Sequence, residues 1–207
     1  MAENKGKLFV ISGPSGSGKG ELCKRVLKTG CARVSISATT RNARPGEVDG
    51  VNYFFITKEE FERRIKVNDF LEFAQYNGNY YGTPKDYVIS CLERGINIIL
   101  EIDVQGALNI KKIMPDAVLL MISAPDYSTL VSRLRGRGDT SEDDMKERLE
   151  TSRVELAQLP KYDFLVINKT NELDRAVETV CQIIGGKEME ENKTKHFESF
   201  ANDFYLI

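Results

Sequence analysis

Four short stretches of the chain are almost purely apolar: 7–12 (KLFVIS), 97–102 (NIILEI), 117–123 (AVLLMIS) and 164–167 (FLVI). A strand covered on both faces has no side reserved for water, so such unbroken runs predict strands of a buried parallel sheet. Between them lie amphipathic segments at 21–28, 84–94, 105–114, 127–135, 142–159 and 172–184, each patterned as a helix. Strand and helix in alternation over this length predict a doubly wound α/β fold. The ends of the helices carry signals of their own. Thr83 before Pro84 suits an N-cap followed by a first helical residue. Thr57 with Glu60, and Ser141 with Asp144, have capping-box spacing, and Gly30 and Gly95 fall where helices should stop.

The stretch 33–79 departs from that pattern. Val34 and Ile36 alternate with serines, as in a half-exposed strand, and a polar loop at 39–50 follows. A further β-like segment, a short helix and the hairpin signal Asn77-Gly78 come next, which predicts a small inserted β-rich unit. A second polar, glycine-containing insertion at 137–144 separates two basic helices, as a lid would. The segment beyond Gly186 is charged, then aromatic (Phe197, Phe200, Phe204, Tyr205), and its pattern is compatible with a docked helix or with loose chain.

A chain of 207 residues can bury one substantial core. Its net charge of -2 gives no reason to expect a nucleic-acid or membrane partner. No apolar run reaches membrane-spanning or signal-peptide length. Cys23, Cys31, Cys91 and Cys181 have no metal-ligand spacing, which predicts mostly buried thiols in a reducing cytoplasm. The lone histidine, His196, sits in the polar tail, so chemistry built on a histidine base is not expected.

The strongest chemical signal is Gly13-Pro14-Ser15-Gly16-Ser17-Gly18-Lys19-Gly20, between a predicted buried strand and a predicted helix. Glycines let the backbone wrap phosphate oxygens, and the free amides of the helix start attract their charge. Lys19 reaches the β- and γ-phosphates as a compact cation. The Ser or Thr that usually follows the lysine and binds magnesium is Gly20 here. A metal must then be held by water, nucleotide or an acid elsewhere, with Glu101 and Asp103 as the candidates. Both sit at the end of an apolar strand, where ligands of parallel sheets bind. Asp103 suits the N-cap of the following helix equally well.

A phosphate loop specifies a donor and leaves the acceptor open. The acceptor signal is the run Ser37-Ala38-Thr39-Thr40-Arg41-Asn42-Ala43-Arg44-Pro45-Gly46-Glu47, then Gly50, Tyr53, Phe54 and Glu72, then Gly78-Asn79-Tyr80-Tyr81-Gly82-Thr83-Pro84. In order and spacing these motifs resemble the guanylate kinase family, over nearly all of 7–184. The resemblance implies a P-loop kinase core with a parallel sheet flanked by helices, a β-rich GMP-binding insertion and a lid. The implied units are 1–186, with core 7–32, 84–136 and 145–186, insertion 33–83 and lid 137–144, followed by a tail at 187–207. It also implies phosphoryl transfer from ATP, with Mg2+, to GMP in the cytoplasm.

The chemistry of the residues suits that implication. Arg41 and Arg44 can clamp a phosphate, with Tyr53 and Tyr81 adding phenolic hydrogen bonds. Glu72 can accept both N1–H and N2–H of guanine, and Ser37 and Thr83 can serve other base atoms. By resemblance Glu101 lies near the base, where the family more often has aspartate, and Ala38 stands where many relatives have histidine. The resemblance also implies that Arg137 and Arg148 approach the transferring phosphates, supported by Arg133, and that Asn168 lies near the adenine site. Two alternatives stay open: an inactive binding module and a kinase for another acceptor. Lys19 and the lid arginines argue against the first, and Glu72 with Thr39-Thr40-Arg41 against the second.

Overall fold

The computed structural model describes residues 5–76, 78–136, 142–187, 189–197 and 199–205. Its strands are β1 (Leu8–Ser12), β2 (Arg33–Val34), β3 (Ala38–Thr39), β4 (Phe54–Phe55), β5 (Phe70–Tyr76), β6 (Asn79–Pro84), β7 (Ile98–Glu101), β8 (Val118–Ser123) and β9 (Phe164–Ile167). Its helices are α1 (Lys19–Lys28), α2 (Lys58–Lys66), α3 (Lys85–Glu93), α4 (Val104–Ile113), α5 (Tyr127–Arg135), α6 (Glu142–Leu156), α7 (Leu173–Ile184) and α8 (Phe200–Asp203).

The four apolar runs, with β2 added at one edge, form one parallel sheet in the order β2-β7-β1-β8-β9. Their lack of alternation has the expected cause. Leu8 and Val10 of β1 join one core cluster, with Val88, Ile110, Leu130 and Leu156 from α3, α4, α5 and α6. Phe9 and Ile11 point the other way, into a second cluster with Leu22 and Val26 of α1 and Val177 and Val180 of α7. The same split holds along β8, where Leu119 and Met121 face the first cluster and Leu120 and Ile122 the second. Side chains alternate along a strand, so two covered faces require apolar residues at every position.

The insertion is built differently. A four-stranded sheet, β4-β3-β6-β5, pairs β3 antiparallel with β6, and β6 antiparallel with β5. Its core is small: Ala38, Phe61 and Phe70 are buried. Phe61 stacks on Phe70 at 4.3 Å and on Tyr80 at 5.2 Å between ring centroids. Gly82 makes room for that stack, since a Cβ there would lie 2.9 Å from the Phe61 ring. Tyr76 pairs with Asn79 across the predicted hairpin, and Gly78 has φ 76°, while Asn77 lies outside the described residues.

Three local expectations need correction. Arg33–Val34 belong to the main sheet through β7, so the β-rich unit starts after them. Thr83 does not cap α3: the N-cap is Pro84 without a side-chain bond, and Thr83 lies in β6. The helix expected over 142–159 ends at Leu156, and a short 3-10 turn follows at Leu159–Lys161. Thr57 does cap α2, accepting from the Glu60 amide, whereas Ser141 lies outside the described residues. Gly30 and Gly95 have φ 74° and 73° as the chain leaves α1 and α3.

The tail docks. Phe204 is buried in the first cluster, with Phe197 and Phe200 packed against it. Thr194 donates to the Tyr162 carbonyl at 2.6 Å, and Asn192 to that of Leu165 at 3.0 Å, so the segment runs along the β9 edge.

Candidate active site

At the carboxyl end of β1 the chain turns through the glycine loop into α1. Gly13 has φ 149°, and a Cβ there would fall 2.1 Å from the Ile122 carbonyl oxygen. Gly18 caps α1 in the left-handed region, φ 83°, and a Cβ there would fall 2.3 Å from Asn168 Nδ2. Any side chain at either position meets backbone or a fixed amide, so only glycine permits this path. Lys19 opens α1, and its Nζ donates back to the Gly13 carbonyl at 3.2 Å. The ammonium is therefore held across the mouth of the loop.

The loop is braced from the core. The Ser17 carbonyl accepts from Asn168 Nδ2 at 2.9 Å and from Arg133 at 3.4 Å. Arg133 also donates to the Asn168 carbonyl at 2.8 Å. Burial lowers the Arg133 guanidinium, against the pull of Asp126. In this geometry Arg133 and Asn168 position the loop backbone. Arg148 lies half-buried on α6, and Arg137 with most of the 137–144 segment is outside the described residues.

Glu72 is buried, and its Oε1 accepts from the Thr83 hydroxyl at 2.7 Å. Its Oε2 faces the first turn of α4, where a Cβ on Gly106 would lie 3.1 Å away. Burial raises the carboxyl to about 7, with Asp103 adding to the rise and Thr83 opposing it. A carboxyl this dry has room for a second hydrogen-bond donor on Oε2. Asp103 caps α4, accepting from the Gly106 amide at 2.6 Å.

Arg41 pairs with Glu47 through both carboxylate oxygens, at 2.9 Å each. Its guanidinium lies 5.6 Å from the Tyr53 ring centroid, and Tyr53 sits edge-on to Tyr81 at 6.0 Å. Burial pulls Arg41 down, but Glu47 and Tyr81 outweigh it and hold the charge above its ordinary value. The Arg44 side chain is exposed, while its amide donates to Glu47 at 2.7 Å. Ser37 precedes β3 and holds β4 through its carbonyl, 2.9 Å from the Phe54 amide. Glu101, ending β7, links the two halves. Its Oε1 lies 3.5 Å from where a Gly20 Cβ would stand, and its charge raises Tyr53 after burial has done so.

The guanylate kinase family model matches residues 5–187. This chain belongs to the guanylate kinase family. It is 46% identical over 195 residues to the guanylate kinase of Streptococcus pyogenes serotype M3 (strain MGAS315), covering 93% of this chain and 88% of that one. It is 45% identical over 170 residues to the guanylate kinase of Clostridioides difficile strain 630, covering 82% and 83%. The crystal structure of guanylate kinase from Anaplasma phagocytophilum superposes with a TM-score of 0.70 at 26% identity, over 91% of this chain and 89% of that one.

Two features of this guanylate kinase fold have no signature in the sequence. Asn168 was expected near adenine, and its observed contact is the brace on Ser17. Glu155 on α6 faces the loop: burial raises it to about 7, with Lys19 pulling it back and Asp103 pushing it further. Neither belongs to a motif with fixed spacing; only the fold brings them to the glycine loop and its lysine. Among the described residues no group of His, Cys, Asp and Glu is arranged to hold a metal, and no helix is long and apolar enough to cross a membrane.

Proposed function

We propose that loop 13–20 binds the phosphates of ATP, and that Arg41, Arg44, Tyr53, Tyr81, Ser37, Glu72, Thr83 and Glu101 form the GMP site. As a guanylate kinase the chain transfers the γ-phosphoryl group of ATP to GMP, giving ADP and GDP. The observation that carries the site assignment is Glu72: a buried carboxyl with one oxygen on Thr83 and the other toward Gly106.

In this reading the guanine N1–H and N2–H donate to Glu72. Arg41 turns part of its fork from Glu47 to the GMP phosphate, with the two tyrosines and Arg44 completing the clamp. A GMP phosphate oxygen is already anionic and attacks the γ-phosphorus without a general base; the β-oxygen of ADP leaves. Lys19 neutralises charge on the transferring group, while Arg133 and Asn168 keep the loop amides aimed at it. Arg148 of α6 adds positive charge toward the transferring phosphates in this reading, and the same role is proposed for Arg137, which lies outside the described residues.

A Mg2+ ion arriving with ATP would supply positive charge against the triphosphate. Gly20 offers no hydroxyl ligand, and Asp103 has one oxygen committed to its cap. The Glu101 carboxylate, close to the place a Ser or Thr side chain would fill at position 20, and the second Asp103 oxygen suit hydrogen bonds to metal-bound water. These residues fit a metal that travels with the nucleotide.

A coupled assay of ADP formation with GMP, AMP, CMP and UMP tests the acceptor assignment. GMP should exceed AMP in kcat/KM by about 10⁴ or more, the range available to a site that hydrogen-bonds its substrate. Comparable use of AMP or CMP would overturn it.

A further inference from the structure

The four cysteines divide into two kinds. Cys23 and Cys91 are buried. Cys31 and Cys181 are partly exposed, 150 residues apart in sequence, and their sulfurs lie 3.2 Å from each other. Cys31 follows the left-handed turn at Gly30 that ends α1, and Cys181 is in the last turn of α7. The two helices pack together through Leu22, Val26, Val177 and Val180, so the thiols meet on a rigid seam. Thr29 fixes the arrangement: its hydroxyl donates to the Val26 carbonyl at 2.7 Å and sits 3.3 Å from the Cys181 sulfur.

We propose that Cys31 and Cys181 are an oxidation-responsive pair, which hydrogen peroxide converts to an intramolecular disulfide that staples the end of α1 to α7. The sulfurs need to close from 3.2 Å to the bond length of about 2.05 Å, a movement that side-chain rotation supplies. Cys31, on the loop, attacks peroxide; the O–O bond breaks, and a sulfenic acid and one water form. Cys181 then attacks the Cys31 sulfur. The S–S bond forms, the S–O bond breaks, and the departing hydroxide takes the Cys181 proton as a second water. Two electrons pass from the thiol pair to one peroxide. Burial holds the Cys181 thiol above its ordinary value, which fits it to the second, resolving role.

The staple lies at the far end of α1 from Lys19. Ten residues of helix separate the two ends by about 15 Å. The disulfide therefore restrains the unfolded chain over a long loop and leaves the donor loop unaltered.

The experiment treats the full, reduced chain with a few equivalents of hydrogen peroxide under native conditions. Titratable thiols should fall from four to two. A non-reducing peptide map should join Cys31 to Cys181. Tm should rise by about 5–15 °C, reversed by dithiothreitol, with turnover kept within about twofold. C31S and C181S should each abolish the crosslink and the rise in Tm. Four thiols surviving treatment, sulfinic acid at Cys31 without a crosslink, or a covalent dimer in place of the internal bond would each overturn the proposal. The peptide map on the unsubstituted chain decides it even if a serine variant fails to fold.

Discussion

The donor loop and the acceptor pocket face each other across Glu101 but are assembled by different means. In the donor loop the groups that would meet phosphate belong to the main chain. Their path is fixed by glycines that cannot carry a Cβ and by Asn168 and Arg133 on the Ser17 carbonyl. In the acceptor pocket the working groups are side chains, and they are held by one another: Arg41 by Glu47, Glu72 by Thr83. The supporting cores differ in the same direction. The loop rests on a sheet covered on both faces, whereas the insertion is organised around Phe61 and its neighbours. The donor loop's backbone path is thus set by the fold before any ligand arrives. If GMP binds where proposed, the acceptor side exchanges an internal ion pair and a raised carboxyl for contacts with its substrate.

The largest effect should come from the donor side. Lys19→Ala removes the ammonium held across the loop mouth. kcat should fall by about 10²–10³, the usual loss for a transition-state electrostatic contact. Circular dichroism and Tm should stay close to the parent, because the Lys19 ammonium donates to the Gly13 carbonyl and lies outside the packed core. Near-normal turnover in a folded Lys19→Ala protein would place the donor elsewhere.

Arg41→Ala probes the other side. Loss of a charged, bidentate phosphate contact is worth about 1.5–3 kcal/mol, so the KM for GMP should rise roughly 10- to 100-fold. The KM for ATP should move little. Arg44→Ala should follow the same pattern more weakly, its side chain being exposed. An equal change in both substrates' KM would erase the distinction between the two sites.

A smaller effect separates the sites by pH. The Glu72 carboxyl is raised to about 7 by burial. Its protonated form is favoured in the folded protein below that pH, so this group's contribution to stability is present at low pH and lost as pH rises from about 4.5 through 7. Guanine needs the ionised form. The KM for GMP should therefore fall by up to about tenfold between pH 6 and 8 beyond the change seen in Glu72→Gln, which carries no titrating group there. The variant also subtracts the ionisation of the GMP phosphate. Parallel profiles for parent and variant would show that Glu72 does not titrate in contact with the base.

The same contrast explains what the sequence could and could not tell. The sheet was legible because burial on two faces leaves unbroken apolar runs, and the loop because backbone wrapping demands glycine at set intervals. β2 misled because a short edge strand alternates like part of the insertion. Thr83 misled because a threonine before proline resembles a cap, while in β6 its hydroxyl is taken by Glu72. The partnership of Arg41 with Glu47, the brace from Asn168 and the approach of Glu155 to Lys19 depend on residues brought together by folding, and no local pattern announces them. Docking of the tail was equally hidden, since Phe197, Phe200 and Phe204 reach the core from a segment with no strong period.

The central claim is that guanine is read by Glu72. It is tested by measuring kcat/KM for GMP and for AMP in the parent and in Glu72→Gln. An amide presents one acceptor where the carboxylate presents two, and it turns a donor toward a donor. Adenine, with neither N1–H nor an N2 amine, loses nothing by the exchange. The account predicts that the variant's GMP-to-AMP ratio collapses by at least about 10²-fold, mostly through loss of GMP use. An unchanged ratio in a well-folded Glu72→Gln protein would contradict it.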